Sequence, residues 1–510
     1  MDIRDYDLPD SFFERATDEE REAASFTGET RGYFRDALSR TFKRTAARVG
    51  AGIILAILLF AVFAPLFISR SASMMDPYYS KLPPRVDGLS FVDGGVSRRL
   101  GERGLARILA ISIGASMEGA STEGVGNFGA VRGSEYDPII EIGDAEGRTR
   151  EVKLDAYLEV GFVYKVIERA EYEKMLLWER ETGKRIFYPL VADNEYCPDI
   201  NDANLWYMVD SASGEAITVG DSVSLISGDV AEFSPTENYM RDSAGELVYK
   251  IPTGGGESPG AYKVRVLYLN YYRYKNGALP NYLFGTDSQG YDLALRVSGG
   301  IAVSLALGFA VSIINFIIGA VVGAVEGYYG GVVDLAIERV TDILSGVPFI
   351  VVATLFQIYL ADRVGAIFSL LFAFVLTGWL GTANRVRAQF YRFKGAEYVL
   401  AARSMGVSDW RIIWRHIFPN TLGTIITSSA LVIPGVIFTE SMLSFLGIVN
   451  LGGEGLTSLG TLLSDASGIW VNYPHLMLIP TAIISLLMIA FNLLGGALRD
   501  GFDPEMKGGV

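Results

Sequence analysis

The stretch that decides the fold reads GAEYVLAARSMGVSDWRIIWRHIFPN, from Gly395 to Asn420. Glu397, Ala401 and Ala402 fall on or near one helical face, because residues four apart are neighbours on a helix. Gly406 suits the position just past a helix end, where a left-handed backbone costs glycine little. Ser408 can then cap a second helix over Asp409–Ile417, with Asp409 at its positive N-terminus. Pro419 bars easy continuation beyond it. The spacing therefore predicts two short helices joined by a tight turn. The small residues Ala401, Ala402 and Gly406 would let another backbone approach closely. An ordinary basic loop is the plainer alternative. A DNA-reading helix-turn-helix is a third, and tethering at both ends to apolar spans argues against it.

Those spans are the next level out. About 20 apolar residues cross a bilayer, and the first such run is Val49–Ile68 (VGAGIILAILLFAVFAPLFI). It lies behind 48 residues rich in charge, too deep for a secretory signal, and reads as an uncleaved anchor. Five more candidates are Gly300–Val325, Val347–Tyr359, Ala366–Gly381, Leu422–Phe438 and Leu476–Leu498. The third and fourth flank Leu360–Gly365, whose Asp362 and Arg363 would be costly in mid-bilayer, so a tight hairpin is expected there. The reading is an α-helical polytopic membrane protein of six spans.

Lys/Arg placement sets the orientation. Arg31, Arg35, Arg40, Lys43, Arg44 and Arg48 precede the first span, and Arg385, Arg387, Arg392, Lys394, Arg403, Arg411 and Arg415 lie between the fourth and fifth. Glu440–Pro474 contains no Lys or Arg. With six spans, both termini and the Glu397–Asn420 segment are expected inside. The segment 71–283 would then be an extracytoplasmic insert of about 210 residues, large enough for its own core.

Half of the 510 residues are hydrophobic (50%) and the mean hydropathy is +0.28, yet charge is concentrated before the first span and in the insert. A net charge of −14 argues against nucleic-acid binding. The lone Cys197 excludes an intramolecular disulfide, and two distant histidines, His416 and His475, make a histidine metal site improbable. Within the insert, alternation predicts strands over Glu151–Ile167 and Tyr262–Tyr274, a helix over Glu168–Glu181, and a turn at Gly254–Gly256. An α+β or mainly β domain follows. Tyr268, Tyr271, Tyr272 and Tyr274 could form a binding face, although a strand core with exposed tyrosines is the stronger reading.

The order E-x-x-x-A-A-x-x-x-G followed by His416-Ile417-Phe418-Pro419-Asn420 resembles the EAA loop of binding-protein-dependent ABC importer permeases, and more narrowly their dipeptide/oligopeptide/nickel family. Phe284–Asp292 (FGTDSQGYD), Gly327–Asp334 (GYYGGVVD), Glu440–Gly447 (ESMLSFLG) and Arg499–Pro504 (RDGFDP) are similar to the same family in the same order. The resemblance covers 284–505 and the first span. It departs at Tyr291, where the family has arginine, at Phe418, where leucine is usual, and in the long insert. It implies the type I ABC importer permease fold, with 284–505 as the transmembrane domain and 395–420 as the coupling loop.

The same resemblance implies that Glu397, Ala401, Ala402, Gly406, Ser408 and Asp409 couple to an ATPase. It further implies a second permease subunit in a heterodimer, two ATP-binding-cassette subunits and an extracytoplasmic substrate-binding protein. The chain has no G-x-x-x-x-G-K-[ST] phosphate loop, so no cofactor is expected on it and ATP would be bound by partner subunits. Asn315, Gln357, Thr377, Ser428, Ser429 and Asn492 are polar groups in apolar spans. They could line a translocation path, but hydrogen bonding between packed helices is the more usual role. Glu440 reads as an outer-gate or structural carboxylate rather than a substrate ligand. A membrane-anchored receptor or a self-sufficient channel would explain fewer of these features.

Overall fold

In the computed structural model, residues 33–68, 73–86, 92–116, 126–220, 224–253, 260–452 and 457–502 are described. The Gly254–Gly256 turn lies outside them. An amphipathic helix α1 (Tyr33–Lys43) leads into the apolar α2 (Thr45–Phe67), and Arg44 ties their junction to Asp500 near the far end of the chain at 2.6 Å.

The insert contains two antiparallel sheets. The first is ordered β1-β3-β2, with β1 Gly95–Leu100, β2 Ile139–Glu146 and β3 Thr149–Asp155. In the second, β7 (Ala261–Leu267) pairs with β4 (Phe162–Glu168) on one side, and with β5 (Phe187–Tyr188) and β6 (Lys250–Thr253) on the other. Helix α3 (Glu102–Ser116) is buried from Leu105 to Ala115 and holds Trp206, whose indole donates to the Ala110 carbonyl at 3.0 Å. A short α4 (Phe128–Val131) and α5 (Arg169–Thr182) complete this mixed α+β arrangement. The expected helix over Glu168–Glu181 is therefore displaced by one residue.

Two strand expectations need correction. Glu151–Ile167 is not one strand: β3 ends at Asp155, whose carboxylate accepts from the Tyr157 backbone at 2.9 Å, and the chain turns through Gly161 (φ +62°) into the other sheet. Tyr262–Tyr274 is a strand only to Leu267. Tyr262, Val264 and Val266 keep period two, and then Tyr268 and Tyr272, one helical turn apart, bury on the same core from α6 (Tyr268–Asn276). Tyr268 (4% exposed) and Tyr272 (2%) are core, while Tyr271 and Tyr274 are half-buried against it.

Entry to and exit from the insert are bound to each other. The Asp76 backbone donates to the Gly290 carbonyl at 3.1 Å, Lys81 to Asp287 at 2.9 Å and Thr286 to Leu82 at 3.0 Å. Tyr268 donates its hydroxyl to Asp76 at 2.5 Å, and burial, with the Asp76 carboxylate beside it, pushes that hydroxyl's pKa far up, so it stays a donor. Gly290 (φ +93°) admits the approach, since a Cβ there would lie 1.9 Å from the Asp76 oxygen. Although arginine is missing at position 291, a guanidinium stands nearby: Arg296 lies 4.8 Å from the Tyr291 ring centroid and 3.4 Å from Asp287.

Beyond the junction, Asp292 caps α7 (Leu293–Tyr329), a single 37-residue helix. There follow α8 (Gly331–Ser345), α9 (Phe349–Val364), α10 (Ala366–Gly378) and α11 (Leu380–Phe393). After the loop come α14 (Phe418–Ala430), α15 (Val432–Phe445), α16 (Leu459–Ala466) and α17 (His475–Phe502). Among the described residues, five helical stretches are long and apolar enough to cross a membrane: 45–67, 293–329, 366–393, 425–445 and 475–502. The α8–α9 pair, bent by 75°, makes a sixth if counted as one. The hairpin expected around Leu360–Gly365 is present between α9 and α10, turning at Gly365 (φ +88°), with Gln357 donating to the Ala366 carbonyl at 3.0 Å.

Glu440, 0% exposed, accepts from Ser458 at 2.6 Å, Ser444 at 3.0 Å and Ser304 at 3.2 Å, joining α15, α16 and α7. Glu440→Ala strands those buried hydroxyls and should cost roughly 2–4 kcal/mol, read as a lowered unfolding temperature in detergent, with Glu440→Gln costing less than half as much. Gly323 packs on α11, where a Cβ would lie 2.3 Å from the Ala383 oxygen. Gly323→Leu should therefore lose at least about 2 kcal/mol in the same assay. Gly299→Leu, where an added Cβ meets nothing, should be near neutral.

Candidate functional site

The loop between α11 and α14 forms two helical pieces, as its sequence suggests. The first, α12 (Glu397–Ser404), begins with Glu397 at its positive end. It closes on Gly406 at φ +77°, with Gly406 N–H bonding to Arg403 at 3.0 Å and Val407 N–H to Ala402 at 3.1 Å. That pair of bonds is the Schellman pattern, which satisfies the last free carbonyls and fixes the turn. An added Cβ at Gly406 would meet nothing, so its requirement is backbone geometry, not space.

The second piece differs from the expectation. An α-helical turn, α13 (Asp409–Arg411), passes into a π-helical turn over Ile412–Ile417 and then directly into α14. Pro419 does not break the path. It sits in the first turn of α14, where its missing N–H is tolerated, and the wider π turn precedes it. Ser408 stands at the cap position, but its side chain makes no capping bond. Asp409 instead accepts from the Tyr328 hydroxyl at 2.5 Å.

The loop has two faces. Val399 and Ala402 are buried and pack with Ile412, Ile413 and Ile417 against Ala324 and Tyr328 of α7 and Val386 and Phe390 of α11. Glu397, Ala401, Gly406, Ser408 and Asp409 are exposed, so Ala402 faces away from its supposed companions. Large apolar groups join the exposed side, notably Met405 (77%) and Trp410 (63%). The polar side of the knuckle thus keeps apolar surface free at Met405 and Trp410.

Tyr328 and Arg403, to which sequence reasoning gave no site role, tie the loop to α7, and Arg387 braces the helix ends beside it. Tyr328, at the end of α7, bonds to Asp409 and accepts from Arg403 at 3.1 Å, a bond that raises the Arg403 guanidinium pKa above its usual value. Arg387 of α11 lies 2.6 Å from Asp334, 3.2 Å from Glu338 and 3.4 Å from Glu326. Tyr328 was inside a quoted motif, but nothing in its spacing pointed to Asp409, 81 positions away.

The polar residues within the spans are dispersed. Asn315 reaches the Phe374 carbonyl at 3.5 Å, Gln357 serves the α9–α10 hairpin, and Asn492 donates to Met488 one turn back at 2.9 Å. Thr377 is half-buried near the end of α10, and the side chain of Ser428 lies outside the described residues. Ser429 lines an apolar groove of about 250 Å³ with Ser312, Phe309, Phe316 and Ile433, where Asn315, Gln357, Thr377 and Asn492 do not.

Known proteins share this framework. The family described as binding-protein-dependent transport system inner membrane component matches residues 316–508, and the N-terminal TM domain of oligopeptide transport permease C matches 32–84. The oligopeptide transport system permease protein OppC of Bacillus subtilis is 35% identical over 225 residues, 44% of this chain and 72% of that protein. Its Escherichia coli K12 namesake is 41% identical over 222 residues, with the same coverage of 44% and 72%. The dipeptide transport system permease protein DppC of B. subtilis is 38% identical over 227 residues, 44% of this chain and 69% of that one. A solved inward-facing methionine ABC transporter aligns at TM-score 0.35 and 15% identity over 41% of this chain and 98% of its own, too loosely to bear on the fold. By its relatives, the chain belongs to the family of binding-protein-dependent transport inner-membrane components and is a permease subunit of an ATP-binding-cassette importer.

Proposed function

We propose that this permease imports peptides, driven by ATPase subunits that dock on the exposed face of the 395–420 loop. The observation that carries the reading is the two-faced knuckle, one side anchored to α7 and α11 by buried isoleucines, the other offering Glu397, Ala401, Met405 and Trp410. Gly406, Ser408 and Asp409 shape its turn, and Ala402 fixes it from beneath. The peptide substrate is inferred from the names of the oligopeptide and dipeptide relatives.

In this reading the type I fold has six spans, with α8 and α9 together forming the third. Residues 1–48 and the loop lie in the cytoplasm, 49–70 form the first span, 71–283 an extracytoplasmic domain and 284–505 the transmembrane domain. The Lys/Arg-rich flanks of α2 and α11 support that orientation. The complete importer holds a second, different permease chain, two ATP-binding-cassette subunits and an extracytoplasmic binding protein, while this chain carries no cofactor. ATP-driven closure draws the loops together and switches the spans between inward- and outward-open states, each stabilised by different contacts. Asn315, Gln357 and Asn492 serve helix packing, since their amides already bond within the protein. Ser429 also bonds within its helix, to the Ile425 carbonyl at 2.9 Å, but it lines the groove and so stays a path candidate with Thr377 and Ser428.

Two outcomes test this. Gly406→Val forces a β-branched residue into left-handed geometry, at a cost of about 1–2 kcal/mol confined to the turn. ATPase co-purification and uptake should fall while membrane insertion is unchanged, and Gly406→Asn should be milder. Normal ATPase recovery with the valine variant would refute the docking assignment. Separately, cells lacking this permease should lose growth on peptides as the sole source of a required amino acid and regain it with the gene. Unchanged growth would exclude the peptide reading.

A further inference from the structure

One buried hydroxyl is held by both halves of the coupling loop. Tyr328 is 6% exposed in the last turn of α7, and its ring lies in the cluster formed by Val399, Ala402, Ile412 and Phe390. Its hydroxyl donates to Asp409 of α13 at 2.5 Å and accepts from Arg403 of α12 at 3.1 Å. A phenol can do both at once, and each bond has an ionised partner, which makes it stronger and shorter than a neutral one. The apolar cluster around it is non-directional and would let the two helices slide. The hydroxyl fixes their register on α7. At the same level Arg387 binds Glu326 of α7 and Asp334 and Glu338 of α8 from α11, so the end of α7 is itself immobilised against its neighbours.

We propose that Tyr328 is the positioning residue that locks the coupling loop to α7, so that movement imposed on α12 and α13 is delivered to that helix without slip. The inference rests on the reading that ATPase subunits dock on this loop. Tyr328→Phe keeps the ring in its cluster and removes only the latch.

The test uses the complete importer, with Cys197 replaced by serine. Spin labels are placed at Met405, exposed on the loop, and at Gly299 near the start of α7, where an added side chain meets nothing. In the otherwise unaltered protein the distance between them should be narrow and the same without nucleotide and after ATP–vanadate trapping. In Tyr328→Phe, with ATPases co-purifying normally, the trapped state should show a broadened or displaced distribution. Asp409→Ala should reproduce it, and the double variant should add nothing. Tyr329→Phe, whose ring is 53% exposed, is the control and should leave it unchanged. An unchanged narrow distribution in Tyr328→Phe would mean that apolar packing alone transmits the movement. Loss of ATPase co-purification in Tyr328→Phe would make the hydroxyl part of the docking surface. Either result overturns the proposal. Failure of the docking reading itself would appear elsewhere, as unimpaired ATPase recovery with Gly406→Val.

Discussion

The close approach of α7 to α11 is the contact on which the other arrangements depend. Gly319, Gly323 and Gly327 recur every four residues and so share one face of α7. A Cβ on them would lie 2.7 Å from the Thr382 Cβ, 2.3 Å from the Ala383 oxygen and 2.6 Å from the Phe390 Cβ. In lipid, where apolar helices gain little by hiding from their surroundings, such small-residue contact is how two backbones associate. The contact brings Arg387 within reach of Glu326, Asp334 and Glu338, and Phe390 within reach of the loop cluster. At 1.5 Å per residue, α7 is about 55 Å long, well beyond a bilayer core of about 30 Å. Its two ends therefore meet different structures: the paired entry and exit segments of the insert at one, the 395–420 loop at the other.

Two polar groups along this framework, Glu440 and Ser312, find their partners inside the protein. Glu440 has three close hydroxyl donors from three helices, and Ser312 donates to the Ser429 carbonyl at 3.2 Å. A buried carboxylate without donors would be far more costly than one so surrounded. Glu440 therefore acts as a fastener for α16, the short helix that must pack beside α15 with no span of its own. The sequence allowed a structural carboxylate there but did not reveal its partners, because the serines come from positions 304, 444 and 458.

What the sequence made legible follows from the range of each signal. Hydropathy located the long apolar helices, and the glycine at 406 located the turn of the loop, because both are set by residues close in the chain. The ends of elements were harder to read. Tyr262–Tyr274 carries one unbroken pattern of tyrosines, and only the change from Val264/Val266 spacing to Tyr268/Tyr272 spacing marks where strand becomes helix. Pro419 looked like a stop, yet a proline in a first turn ends nothing, and the π turn before it has no simple sequence signature. In the loop, Ala401 and Ala402 are chemically alike but about 100° apart around the helix axis. Which of them is buried was decided by the isoleucines of the following segment. The Tyr328–Asp409 bond is a long-range contact that no local pattern encodes.

The insert shows why so large an addition need not disturb the membrane part. The two family matches stop at residue 84 and resume at 316, so residues 85–315, most of the insert and the first two-thirds of α7, lie in neither. A segment added between two elements strains them only if its ends must be drawn together or pushed apart. Here the ends already lie side by side, with Asp76 bonded to Gly290 and Leu82 to Thr286. A domain whose own fold brings its termini together replaces a short connection at little entropic cost. The same bonds keep it from swinging freely, because Tyr268 of its core holds Asp76 and Asp287 holds Arg296 of α7. The domain is thus seated on the start of the helix whose end holds the 395–420 loop. Any tilt of α7 must be shared between them or break this junction.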